Sequence, residues 1–194
     1  MKCLDFSVKT LFIFSIAAML SGCSLLAPGY KQVNYYDIGK PAEECTENFS
    51  ITVQPFFNNS PSSMKFYYRK DNYSIVTDDY NKWTQNPEGM LTRYLNSYFS
   101  KETESNAAAR TAEKDYLLSG TISSFEIDLS KKEVCFAVDY DIKNTDSNKS
   151  VKKDYFMAKI PFTENKAEIF AAAMSEAEKK FAERIKADLL KMKK

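Results

Sequence analysis

Val134-Cys135-Phe136-Ala137-Val138-Asp139-Tyr140-Asp141-Ile142 is the stretch that decides the fold. Its apolar residues at 134, 136, 138, 140 and 142 recur with a period of two, which marks a strand with one face buried. The polar run Asn144 to Ser150 then reads as a hairpin loop, and the return strand Val151 to Phe162 alternates through Phe156, Ala158 and Ile160. On the other side, Tyr116 to Asp128 is a strand with a phase slip. Leu118, Gly120 and Ile122 share one parity and Phe125 and Ile127 the other, so a β-bulge near Ser123-Ser124 is expected to reconcile them.

Two helices frame these strands. Asn86-Pro87 is a helix start, because Asn caps and Pro at the first helical position gives up an N–H that would be unpaired anyway. Met90, Leu91, Tyr94, Leu95, Tyr98 and Phe99 follow at spacings of three and four, one buried face. Thr163 is expected to cap a last helix running from Glu164 to about Leu190. Its stripe of Phe170, Met174, Ala177, Phe181, Ile185 and Leu189 suits packing on a sheet better than lying on a membrane. The opposite face mixes both charge signs instead of concentrating Lys and Arg. Lys101 to Lys114 reads as a fraying helix end and a loop.

The N-terminal half is strand-rich. Strand signals begin at Val33 to Ile38, and Phe49 to Phe57 alternates until Pro55, which places its end at a sheet edge or strand terminus. A turn cluster, Asn58 to Ser63, leads into Met64 to Arg69. Asp71-Asn72 then turns the chain into a strand from Tyr73 to Val76.

Ahead of all this stands Leu20-Ser21-Gly22-Cys23, behind an apolar run from Leu11 to Met19 and the basic residues Lys2 and Lys9. A positive leader, a short apolar core and small residues make a secretory signal. At roughly 10 residues the core is half of the ~20 needed to span a bilayer. The terminal cysteine matches a bacterial lipobox, so residues 1–22 are expected to be removed and Cys23 to carry acyl chains. Residues 23–32 then form a tether with a typical reach near ~17 Å, followed by one domain over 33–194. The absence of Asp at position 24 favours the periplasmic side of an outer membrane.

Removal of residues 1–22 takes Lys2, Lys9 and Asp5 with it, leaving 172 residues with 25 basic against 25 acidic. That balance argues against nucleic-acid binding, which relies on excess Lys and Arg. There is no histidine, so Ser-His-Asp and Cys-His arrangements and imidazole-based zinc sites are excluded. None of the five glycines stands in a phosphate-cradling or nucleophile-elbow spacing. No catalytic residue, metal or cofactor is expected. The acid pairs Asp78-Asp79 and Asp139 with Asp141 are the features an enzyme reading would use. The latter two sit about 7 Å apart on one strand face. In an exported domain the remaining Cys45 and Cys135 either form a disulfide or stay as two buried thiols.

Beyond these features, an ordered set of short segments runs along the chain. It comprises Tyr36-Asp37-Ile38-Gly39, Ile51-x-Val53-x-Pro55, Tyr68-Arg69, Tyr80-x-x-Trp83-x-x-x-Pro87, Leu91 and Leu95, and Asp115-Tyr116-Leu117-Leu118-x-Gly120. The hairpin ending in Phe162 before a final helix completes the set. In this order the chain resembles the ABC-type transport auxiliary lipoproteins, the lipoprotein partners of MCE-type lipid transport systems such as the Pqi system. The resemblance implies an α/β (α+β) domain with a mixed, mostly antiparallel sheet, helices on both faces and a long C-terminal helix. It also implies a non-catalytic role in lipid transport: docking an MCE-domain protein, the lipid conduit, at the outer membrane, with self-association. The alternative is a periplasmic carrier that itself binds lipid or another ligand.

The residue types agree with a binding role, since aromatics supply large contact area at low entropic cost. Tyr80 and Trp83 are candidate partner contacts, or else sheet core. Arg69 either anchors a partner or makes a bidentate carboxylate contact inside the fold.

Overall fold

Val134, Phe136, Val138, Tyr140 and Ile142 are all buried, as their spacing requires. In the computed structural model, which describes residues 31–47, 49–99 and 116–192, the strands are β1 (Asn34–Tyr36), β2 (Ile51–Val53), β3 (Phe57–Asn58), β4 (Lys65–Arg69), β5 (Ile75–Trp83), β6 (Tyr116–Asp128), β7 (Glu133–Asn144) and β8 (Ser150–Pro161). The helices are α1 (Pro87–Phe99) and α2 (Ala167–Met192). All eight strands join one mixed sheet in the order β1-β5-β4-β6-β7-β8, with β2 and β3 also paired to β6. The long ladders β6–β7 and β7–β8 are antiparallel. One edge of β6 is taken wholly by β7, and the other is shared in succession by parallel β2, β3 and β4.

The bulge forms where the phase slip required it, between Ile122 and Ser124. It returns Phe125 and Ile127 to the face that already carries Leu118 and Ile122, and all four are buried. Pro55 ends β2, and the freed N–H of Phe56 donates to Thr92 Oγ1 of α1 at 3.1 Å. Phe56 then packs so closely on β6 that a Cβ at Gly120 would fall 2.6 Å from its ring and 2.5 Å from the Asp139 carbonyl oxygen. Only glycine fits there.

Phe181 of α2 organises the core. The rings of Phe56, Phe136, Tyr140 and Phe156 lie 5.3 to 6.2 Å from it. A second centre forms around Trp83, with Phe66 at 4.2 Å and Phe125 at 5.2 Å. Both apolar helix stripes are buried as their spacing requires, so α2 is a core helix and not a membrane-surface one. Replacing Phe181 by Ala would cost about 3–5 kcal/mol.

Three details differ from expectation. The described helices pack side by side on the face bearing Phe136 and Tyr140, so helical cover, among the described residues, lies on one face. The reason is parity: the other face of β6–β8 carries Asp139, Lys153 and Lys159, which favour water. Second, α2 starts at Ala167, where the Lys166 carbonyl accepts the Phe170 N–H. Thr163 lies instead in the turn that carries the chain from buried Phe162 to Phe170, whose rings meet edge to face at 4.8 Å. Third, β5 runs on to Trp83, well beyond Val76, because the Asp78 carboxylate accepts the N–H groups of Tyr80 and Asn81 and stabilises an irregular segment within the strand. The leader, Cys23, most of the tether and residues 100–115 lie outside the described residues.

Candidate interaction surface

Registers across the sheet place four residues in one row on the face away from the helices. Phe57 is opposite Thr121, Thr121 opposite Asp139, and Asp139 opposite Tyr155. Met157 stands in the next row, opposite Ala137. Phe57 is 71% exposed, Tyr155 47% and Met157 48%. On a sheet face that no described helix covers, these large apolar side chains flank polar ones, the make-up of an interaction surface.

The same face is rigidified by ion pairs. Arg69 of β4 makes two parallel hydrogen bonds to Glu126 of β6, Nε to Oε1 at 2.9 Å and Nη2 to Oε2 at 2.8 Å. These bonds raise the Arg69 pKa further above its ordinary value. Lys159 pairs with Glu133 at 3.2 Å, and its pKa is raised for the same reason. Arg69 is therefore an internal brace, the second of the two roles its chemistry allowed.

Of the other expected contacts, Tyr80 is at the surface, 39% exposed, and remains a candidate. Trp83 is not available to a partner: it is buried between Phe66 and Phe125 at the end of β5. Its burial puts it in the sheet core, the second of its two readings. Cys45 and Cys135 are free, buried thiols, the second of the two states open to them. The Cys45 N–H donates to the Tyr98 carbonyl at the end of α1. Cys135 sits on β7 opposite Glu126 and Lys159, on the uncovered face. Opposite faces of one sheet cannot meet the Cα separation of roughly 4.4–6.8 Å that a disulfide needs.

Three of the four acids in those pairs are engaged in structural bonds, and Asp139 is exposed on β7. Asp141 accepts from Ser150 Oγ at 2.6 Å and lies 3.9 Å from Lys143. Asp79 pairs with Lys65 at 2.5 Å, and Asp78 serves the β5 backbone. Among the described residues no group of three or more Asp, Glu or Cys side chains could hold a metal. No helix among them is long and apolar enough to cross a membrane.

On the helical side, crevices flank α1. One, of about 250 Å³, is lined by Asp37, Gly39, Lys40, Arg93, Tyr94 and Ser97. Arg93 binds Asp37 at 2.5 Å there. Burial works to raise the Asp37 pKa, but the bonds from Arg93, Thr84 and Gly39 outweigh it and lower it. A drug-sized ligand ordinarily takes about 300–1,000 Å³, more than this crevice holds.

Phe57, Tyr155 and Met157 escaped the sequence reading, although β8 carried a signal. Its second parity, Tyr155 and Met157, is also apolar, where a solvated face would be polar throughout. Phe57 was hidden by Pro55, which breaks the alternation just before it.

Comparison with known proteins places these features in a lineage. No curated protein matches the chain. Among solved structures, protein XCC0632 from Xanthomonas campestris, of family DUF330, superposes with a TM-score of 0.60 at 14% identity. The match covers 79% of this chain and 92% of that one. An uncharacterized protein superposes with a TM-score of 0.64 at 11% identity, covering 81% and 99%. At these identities the likeness is one of fold. The family model for the ABC-type transport auxiliary lipoprotein component matches residues 62–186, from the turn before β4 to the last turns of α2. The chain belongs to the ABC-type transport auxiliary lipoprotein component family.

Proposed function

We propose that this chain is a non-catalytic lipoprotein, anchored through Cys23 on the periplasmic side of the outer membrane. There it docks the MCE-domain conduit of an ABC-type lipid transport system, as a homo-oligomer. The observation that carries the docking role is the uncovered face with Phe57, Tyr155 and Met157 exposed in adjacent rows. Aromatic side chains on a braced sheet supply large contact area at low entropic cost. Family membership supplies the transport context, and the structural bonds that hold Asp78, Asp79 and Asp141 support a role without chemistry.

The test is co-purification from detergent-solubilised membranes with a variant carrying both Phe57→Asp and Tyr155→Asp. The native protein should recover an MCE-domain protein and run as an oligomer by light scattering. The variant should lose at least about tenfold of that recovery with an unchanged melting temperature, since both side chains are at the surface. Recovery of no MCE protein by the native chain would refute the docking role. Stoichiometric lipid bound to the isolated domain would favour the carrier alternative.

A further inference from the structure

Three strand ends and two tight turns meet at one end of the sheet. β4 and β6 run in parallel and finish together, Arg69 opposite Asp128, and the Leu129 N–H donates to the Arg69 carbonyl at 2.8 Å. The β4–β5 turn and the β6–β7 turn therefore stand side by side. The first is held stiffly: Asp71 Oδ1 accepts the N–H groups of Tyr73 and Ser74, and the Lys70 N–H donates to the Ser74 carbonyl. From that pinned backbone the Tyr73 ring projects with 96% of its surface exposed, and Ile75 and Val76 behind it are also exposed. The neighbouring turn presents exposed Lys131 and Lys132, the latter with φ 54°, and Lys70 is exposed on the first.

Strand direction gives this end a meaning. β1 runs parallel to β5, Asn34 opposite Asn81 and Tyr36 opposite Trp83. Its N-terminal end thus points toward Ile75 and the Tyr73 turn. Lys82 lies opposite Lys65, and Ile75 opposite Arg69, so the turn is roughly four residues further along, about 13 Å by strand rise. A chain arriving at β1 arrives from the end that carries Tyr73 and the lysines.

We infer that this end is the membrane-contacting foot of the domain, with Tyr73, Ile75 and Val76 entering the headgroup layer of a bilayer and Lys70, Lys131 and Lys132 meeting its anionic lipids. Tyr favours the bilayer interface, where its ring is shielded and its hydroxyl stays wet. Lysines near an anionic surface are drawn to it. The inference rests on the proposed lipid attachment at Cys23, which supplies the membrane. The acyl chains hold the domain down and the foot sets its posture. The strands stand away from the bilayer, and the Phe57–Tyr155 face stays open sideways to a partner.

The experiment uses the full lipoprotein, purified from membranes and reconstituted into vesicles of phosphatidylethanolamine and phosphatidylglycerol with brominated acyl chains. Tyr73→Trp and Tyr155→Trp are compared, buried Trp83 being a shared background. Mass spectrometry of the Cys23 peptide reads the anchor independently. The expected result is an acylated Cys23, with bromolipid quenching at position 73 at least twofold greater than at 155. Acylated protein with equal quenching, or with more at 155, overturns the foot and leaves the anchor standing. An unmodified Cys23 overturns the anchor and the inference with it.

Discussion

Tyr140 of β7 donates its phenolic hydrogen to Asp188 Oδ2 of α2 at 2.6 Å, a buried bond between sheet and helix. Arg184 extends it, with Nε 3.2 Å from the same carboxylate and Nη2 2.8 Å from Asp154 of β8. The last turns of a helix otherwise held by apolar contacts are thereby fixed in rotation and along the axis.

Tyr140→Phe should lower stability by about 1–3 kcal/mol, because Asp188 stays buried with one donor fewer. Burial first, and then the bond to Asp188, push the Tyr140 pKa up to about 12. A folded pKa above the unfolded value of about 10 stabilises fully below pH ~10, and that contribution disappears as pH rises toward 12. Denaturant melts between pH 9 and 12 should show a shallower alkaline loss in the variant. Tyr94, also raised to about 12, keeps part of the slope.

Glu178 of α2 is fully buried, and neither carboxylate oxygen has a hydrogen-bond partner. Burial raises its pKa well above the ordinary value, Arg93 opposing this and Asp37 adding to it. The folded state thus keeps a proton that the unfolded chain releases above pH ~4.5. Stability should fall as pH rises from there. Glu178→Gln should be close to neutral near pH 4.5 and more stable than the native protein at pH 7, read as a higher Tm.

Arg69→Ala should destabilise by about 1–3 kcal/mol, leaving Glu126 part-buried without its partner. Arg69→Lys should recover less than half of that loss, since an ammonium cannot supply the two parallel bonds. Urea melts of the three proteins check the order, and equal stability of Lys and Arg at this position would refute a bidentate brace.

Two free thiols per chain should react with a maleimide in denaturant without reductant, once residues 1–22 are removed and Cys23 is acylated. In the native state Cys45 should label slowly, because it is buried and its burial raises the thiol pKa. Adding reductant should leave Tm unchanged. A single blocked pair released only by reductant would contradict the separate sites.

Much of this architecture is written in local pattern. β6, β7 and β8, the bulge after Ile122 and both apolar helix stripes follow from periodicity, since burying one face of a strand or helix demands it. The second half of β5 was not legible, because Asp78-Asp79-Tyr80-Asn81-Lys82 is polar on both parities and is held in the sheet by carboxylate bonds to its own backbone. The start of α2 was misplaced for a related reason: Thr163 can cap a helix, but the packing of Phe162 on Phe170 decides where the turn must be.

The chain's own order of residues was enough to specify which side chains share a face, where the alternation slips and which lineage the segments belong to. Which of those faces meet was decided only in three dimensions. That includes the burial of Trp83, the separation of Cys45 from Cys135, the Arg69 brace and the row from Phe57 to Tyr155. Periodicity is a property of one element and its neighbours in sequence, whereas each of these depends on strands brought into register from distant parts of the chain.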